Sequence, residues 1–133
     1  MLLLGGKDED TQNKKLAKES NAKYIGFFPF KQFISLAENC NVIVSTVTMA
    51  MHVAIGLGKP LVLLNNIFNS DEFHYFVPSK IVKPDKDCDC YYLPECINDR
   101  SCIENISAEK VLAEINALLP SVSYTHLTLP TKA

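Results

Sequence analysis

The sequence predicts an α/β domain, built as a Rossmann-like parallel sheet with flanking helices. Short apolar runs at residues 2–4, 41–45 and 61–64 alternate with longer segments whose apolar residues recur at helical spacing. Glycine or proline marks the junctions, at Gly5-Gly6, Gly26, Pro29, Gly58 and Pro60. Strands that alternate with helices of this length form βαβ units, and such units pack as a doubly wound parallel sheet.

Residues 2–4 read as a buried parallel strand ending in the turn Gly5-Gly6. The acidic Asp8-Glu9-Asp10 and a Lys-rich stretch follow, with Leu16 and Ala17 as apolar positions. This predicts an exposed helix with Asp10 as its N-cap and its acids at the positive helix end. Residues 23–25 predict a short second strand closed by Gly26. Pro29 opens a helix in which Phe30, Phe33, Ile34 and Ala37 share one face as far as Asn39. The β-branched run 41–45 predicts a central strand, residues 48–57 a helix ended by Gly58, and 61–64 the next strand. Ser70-Asp71-Glu72 is expected to cap a short helix through Phe76, and Ile81-Val82 to form a last short strand. After a Cys-rich loop, Ser107 N-caps an amphipathic helix that should turn Val111, Leu112, Ile115, Leu118 and Leu119 inward.

A chain of 133 residues fits one domain, able to bury about 65–70% of the surface its unfolded form exposes. Its 47% hydrophobic and 21% charged residues are ordinary for a globular domain. A net charge of -2 with scattered Lys gives no electrostatic footprint for nucleic acid. The apolar runs are too short to cross a bilayer, and residues 1–4 lack the basic flank of a signal peptide, so a cytoplasmic protein is expected. Five Cys without an export signal point to reduced thiols or a metal site rather than a disulfide framework. Residues 122–133 carry no period that continues the preceding helix and resemble read-through of a sequencing adapter, so 1–121 is taken as the domain and 122–133 as a non-native tail. Because Met1 opens inside a strand, the chain reads as a piece truncated at its N-terminus.

Ligands of open α/β sheets sit beyond the carboxyl ends of the strands, and three loops there carry suitable chemistry. Gly5 and Gly6 permit close backbone approach, and Glu9 offers a carboxylate to ribose hydroxyls. Loop 27–30 places rings such as Phe28 where a base could lie. Ser45, Thr46, Val47, Thr48 and Met49 join a strand to a helix whose N-terminal amides and hydroxyls could hold a pyrophosphate. His52 lies one turn after Thr48 on the same face and could donate to a phosphate. Each feature has a plainer reading: a tight turn, a helix cap, core phenylalanines and a buried, satisfied histidine. In the cysteine loop, the thiolates of Cys88, Cys90, Cys96 and Cys102 would suffice for tetrahedral zinc. Their Cys-x-Cys-x5-Cys-x5-Cys spacing is not that of a common zinc knuckle, and structural thiols or a disulfide pair stand as alternatives. Cys40 reads as core.

The run from Cys40 to Pro60, with Ser45-Thr46-Val47-Thr48-Met49, His52 and Gly58-Lys59-Pro60, resembles the signature of glycosyltransferase family 9, the heptosyltransferases. In that family a strand enters an Asp-Thr-Gly-x-x-His motif, followed by a small-residue helix, Gly-Lys-Pro and another apolar strand. Leu4-Gly5-Gly6-x-x-Glu9, and Cys88-x-Cys90-Tyr91 with two further cysteines before a final helix, extend the likeness over most of residues 2–119. Val47 stands where the family has Asp and Met49 where it has Gly, which removes a carboxylate interaction and hinders close backbone approach.

The resemblance implies the C-terminal half of a GT-B fold, binding a nucleotide-sugar donor, often ADP-heptose, in lipopolysaccharide assembly. It assigns Thr48 and His52 to the donor phosphates, Glu9 to the ribose and Phe28 or a neighbour to the base. It further implies inversion by direct displacement, with the general base on the missing N-terminal domain. No catalytic residue is then expected in this chain, and no cofactor is required. A glycan or glycolipid acceptor would meet the missing domain, and peripheral membrane association would belong to the full enzyme alone. The chain by itself is expected to bind a nucleotide weakly and catalyse nothing. The alternative is a non-catalytic nucleotide- or zinc-binding α/β module, a degenerate transferase, motivated by Val47, Met49 and the cysteines.

Overall fold

The computed structural model describes residues 1–66, 70–86, 90, 93–97 and 101–119. Cys88 and the tail 122–133 lie outside the described residues. The chain forms two compact units, Met1–Asn39 and Cys40–Ala133.

In the first unit, Leu2 pairs with Lys23 in a parallel bridge. Leu3 N donates to Lys23 O and Lys23 N to Met1 O, at 2.8 and 2.9 Å. The strand predicted at 2–4 is thus reduced to one bridge, and its leucines are half-buried rather than buried. Helix α1 spans Asp10–Glu19 and connects the two paired segments. Its N-cap is Glu9, so Asp10 is the first helical residue and not the cap. Ser20 ends the helix, its hydroxyl donating to Leu16 O and accepting from Ala22 N. Leu16, read as an apolar face position, is exposed. Helix α2, Phe30–Glu38, starts after Pro29 as expected and buries Ala37.

The second unit contains a parallel sheet of order β1-β2-β3, with β1 at Ile43–Ser45, β2 at Leu61–Leu64 and β3 at Ser79–Val82. The register pairs Ile43 with Leu61 and Leu61 with Ser79. The β-branched run 41–45 predicts a central strand. Among the described residues the centre is β2, and Val44 on β1 is 42% exposed. Leu61, Val62 and Leu63 are fully buried, as a strand covered on both faces requires. Each such side chain contributes about 1.5–3 kcal/mol.

Helix α3, Met49–Gly56, crosses from β1 to β2 and packs on both. Its end is a Schellman motif in which Lys59 N donates to Ala54 O and Gly58 N to Ile55 O. Gly58 takes a φ of 71°, a left-handed conformation open to glycine, which explains the predicted stop. Met51, Ala54, Leu61, Leu63 and Val77 form the core, with Ile43, Val47, Ile55, Phe73 and Tyr75 packed around it. Residues 70–72 make only a 3-10 turn, shorter than the helix expected through Phe76. β3 begins two residues before the predicted strand.

Helix α4, Ala108–Leu118, packs on β2 and β3. Ser107 caps it by accepting from Lys110 N at 3.2 Å, as predicted. Val111, Ile115 and Leu118 are half-buried, whereas Leu112 and Leu119 are exposed. Lys110 reaches back to Asp85 and to the carbonyl of Lys83, tying the helix to the chain beyond β3. No helix among the described residues is long and apolar enough to cross a membrane.

Candidate functional site

The turn that joins β1 to α3 is drawn together by its own oxygens. Ser45 Oγ lies 2.9 Å from the Thr46 carbonyl and 3.1 Å from Thr48 Oγ1, and Thr48 Oγ1 lies 3.4 Å from that carbonyl. Two hydroxyl protons therefore serve three oxygens inside the turn. Thr48 is the N-cap residue of α3, in extended conformation, yet its side chain accepts nothing from the helix amides. An N-cap threonine ordinarily does so. The positive end of α3 is left without a side-chain cap, at the carboxyl end of β1, where partial positive charge favours an anion.

His52, in the first turn of α3, is exposed rather than buried among the helix's apolar residues. Its ring meets Phe73 edge to face, with centroids 5.8 Å apart, and Phe73 meets Tyr75 in the same manner. The Tyr75 hydroxyl donates to Ser70 O at 2.9 Å, and burial, then the Asp71 charge, raises its pKa above the ordinary tyrosine value. Phe73 stands in the segment after β2, so the imidazole leans toward chain that follows a strand's carboxyl end. Met49 is exposed and Val47 packs against the core, which gives a physical reason for an apolar residue at position 47.

In the first unit, Gly6 N donates to Glu9 Oε2 at 2.7 Å, so this turn is closed by its own carboxylate. Gly5 is demanded by space. A Cβ there would stand 2.8 Å from Asn13 Nδ2 and 2.9 Å from Glu9 Cβ. Asp10 accepts from the Lys14 ammonium at 2.6 Å and the Tyr24 hydroxyl at 2.9 Å. Those two bonds, Lys14 first, hold its carboxyl below the usual aspartate value, while burial and then Asp10 raise Tyr24. Phe27, Phe28 and Phe30 are exposed, against their plainer reading as core. Phe28 lines an open groove of about 260 Å³ with Gln32, Ser35, Leu36 and Asn39.

Three further residues contribute to these turns without a motif to mark them. Asn65 is 2% exposed directly after β2, a buried polar residue at a strand's carboxyl end. Phe73 supports His52, and Asn13 backs Gly5. The Asn65-Asn66 pair after an apolar strand was the available signal for the first. No local pattern announces the other two.

In the cysteine loop, Cys90, Cys96 and Cys102 come together with all three Sγ atoms within 4.8 Å of one another, a grouping able to hold a metal ion. Cys40 is half-buried.

No known protein family matches the sequence, and no curated protein does. The fold is similar to that of a solved structure, the E. coli ADP-heptose LPS heptosyltransferase II, with a TM-score of 0.69 and 20% identity over 89% of this chain. The chain spans 35% of that protein. At this identity the likeness establishes the fold, a Rossmann-like α/β arrangement of the kind a glycosyltransferase contains.

Proposed function

We propose that this chain is the C-terminal, donor-binding half of a GT-B glycosyltransferase of the heptosyltransferase type. The turn 45–49 and His52 would receive the diphosphate of a nucleotide sugar. The observation that carries this is the uncapped N-terminus of α3 at the carboxyl end of β1, in a chain whose fold follows a heptosyltransferase over 89% of its length.

The amides of the first turn of α3 would meet phosphate oxygens, and His52 would add a donated hydrogen bond from its exposed ring. Their contribution to catalysis is to neutralise the diphosphate as it leaves, without any cofactor. Gly5, Gly6 and Glu9 belong to the same reading. A carboxylate oxygen that takes one amide keeps further lone pairs, so Glu9 can hold its turn and still accept a ribose hydroxyl. An exposed ring, Phe28 or a neighbour, would lie on the base. ADP-heptose as donor, a lipopolysaccharide acceptor bound by another domain, and a cytoplasmic enzyme that touches the membrane only peripherally complete the proposal.

Titration of the chain with ADP, followed by amide NMR, tests it. Signals of residues 46–52 are expected to move first and furthest. Perturbation confined to other residues would remove the diphosphate assignment. A rival reading, a non-catalytic nucleotide- or zinc-binding module, draws on the thiol cluster. A second Rossmann-like domain with an acidic residue in its first glycine-rich loop, encoded upstream in the source DNA, would decide for the transferase.

A further inference from the structure

We propose that Cys90, Cys96 and Cys102 hold a structural zinc ion that fastens the loop after β3 to the start of α4. The Sγ atoms of Cys90 and Cys96 are 3.5 Å apart and those of Cys96 and Cys102 3.7 Å apart. Thiolates bound to tetrahedral zinc at about 2.3 Å stand about 3.8 Å from one another. Three sulfurs at this spacing surround one point, whereas disulfide formation would pair two of them and strand the third.

The surroundings suit thiolate ligands. Ile97 N donates to Cys90 Sγ at 3.2 Å, a bond that favours the charged sulfur and orients it, as outer-shell amides do in metal centres. Cys90 and Cys102 are 3% and 1% exposed, so the site is closed on two sides and reached past the half-buried Cys96. Among the described residues, the packed cluster in this region consists of the thiols themselves, with no aliphatic side chain in it. An ion that cross-links three points of a loop gives it order.

The topology gives the ion its role. Cys90 and Cys96 lie in the loop after β3, while Cys102 opens the 3-10 turn Cys102–Asn105 that leads to the Ser107 cap of α4. Three thiols would release three protons to solvent on binding, leaving a site of net charge -1 with one tetrahedral position for a further ligand. Cys88 lies outside the described residues, and the three thiols define the centre without it.

The test is elemental analysis of the chain purified under reducing, chelator-free conditions, with cobalt(II) substitution as a second readout. About one zinc per chain is expected, together with thiolate-to-cobalt charge-transfer bands. Cys96→Ser and Cys102→Ser should lose the metal, and Cys40→Ser should keep it. Should the serine variants fail to fold, the cobalt spectrum of the unaltered chain still decides. Zinc below about a tenth of an equivalent, full zinc in Cys96→Ser, absent charge-transfer bands, or a denatured thiol count two short of the five cysteines would each overturn the proposal. These readouts are independent of the ADP titration.

Discussion

The turn at Gly5-Gly6 and the turn at residues 45–49 both lead from an extended segment into a helix that has no side-chain cap, and they differ in which backbone group their own side chains engage. At the first, Glu9 folds back and gives its Oε2 to the Gly6 amide, so the backbone donor there is already engaged by an anion. At the second, the hydroxyls of Ser45 and Thr48 are turned toward the Thr46 carbonyl and the helix amides receive no side-chain cap. A local carboxylate takes up a backbone amide at the first turn, and local hydroxyls take up a backbone carbonyl at the second.

Substitutions that exchange these properties test the contrast. The largest effect is expected at Gly5→Val, because the new side chain would collide with Asn13 and Glu9. A loss of about 3 kcal/mol is expected from overpacking, read as a lower midpoint in urea. Val47→Asp introduces an acid at the second turn and places a carboxylate against the core cluster. It should cost about 2 kcal/mol for desolvation, by the same measurement. His52→Ala should lower the urea midpoint only slightly, since the ring is exposed and its contact is the edge-to-face one with Phe73. It should weaken ADP binding about tenfold through loss of a charge-assisted hydrogen bond, measured by calorimetry. Thr48→Ala should alter stability by less than about 0.5 kcal/mol, below the usual cost of removing a cap, because its hydroxyl caps nothing.

A final experiment addresses the first unit alone. The carboxyl of Asp10 is held below its usual pKa by Lys14 and then Tyr24. Its contribution is complete above the ordinary aspartate value of about 3.9 and disappears as pH falls through the lower folded value. Asp10→Asn should therefore lower the thermal midpoint near neutral pH and converge with the unaltered chain in strong acid. A constant difference at every pH would assign the effect to shape instead of charge.

Much of this architecture was legible in local signals. Gly58 ended α3 because its φ of 71° suits glycine, and Ser107 capped α4 because its hydroxyl reaches a first-turn amide. The order of strands across the sheet was not legible. The run 41–45 is as β-branched as a central strand, yet β2 holds the centre, since which strand is covered on both faces depends on its neighbours. Leu112 looked inward-facing by period and is 57% exposed for the same reason.

The sequence by itself determined the alternation of strand and helix, the stops and caps, and the candidate residues at Glu9, Thr48 and His52. Those depend on backbone conformations and hydrogen bonds that act within a few residues. Only the tertiary structure decided that Phe73 meets the ring of His52 and that three thiols spread along a loop lie within 4.8 Å of one another. Such choices arise from contacts between segments remote in sequence, where packing and burial select among the options that local chemistry leaves open.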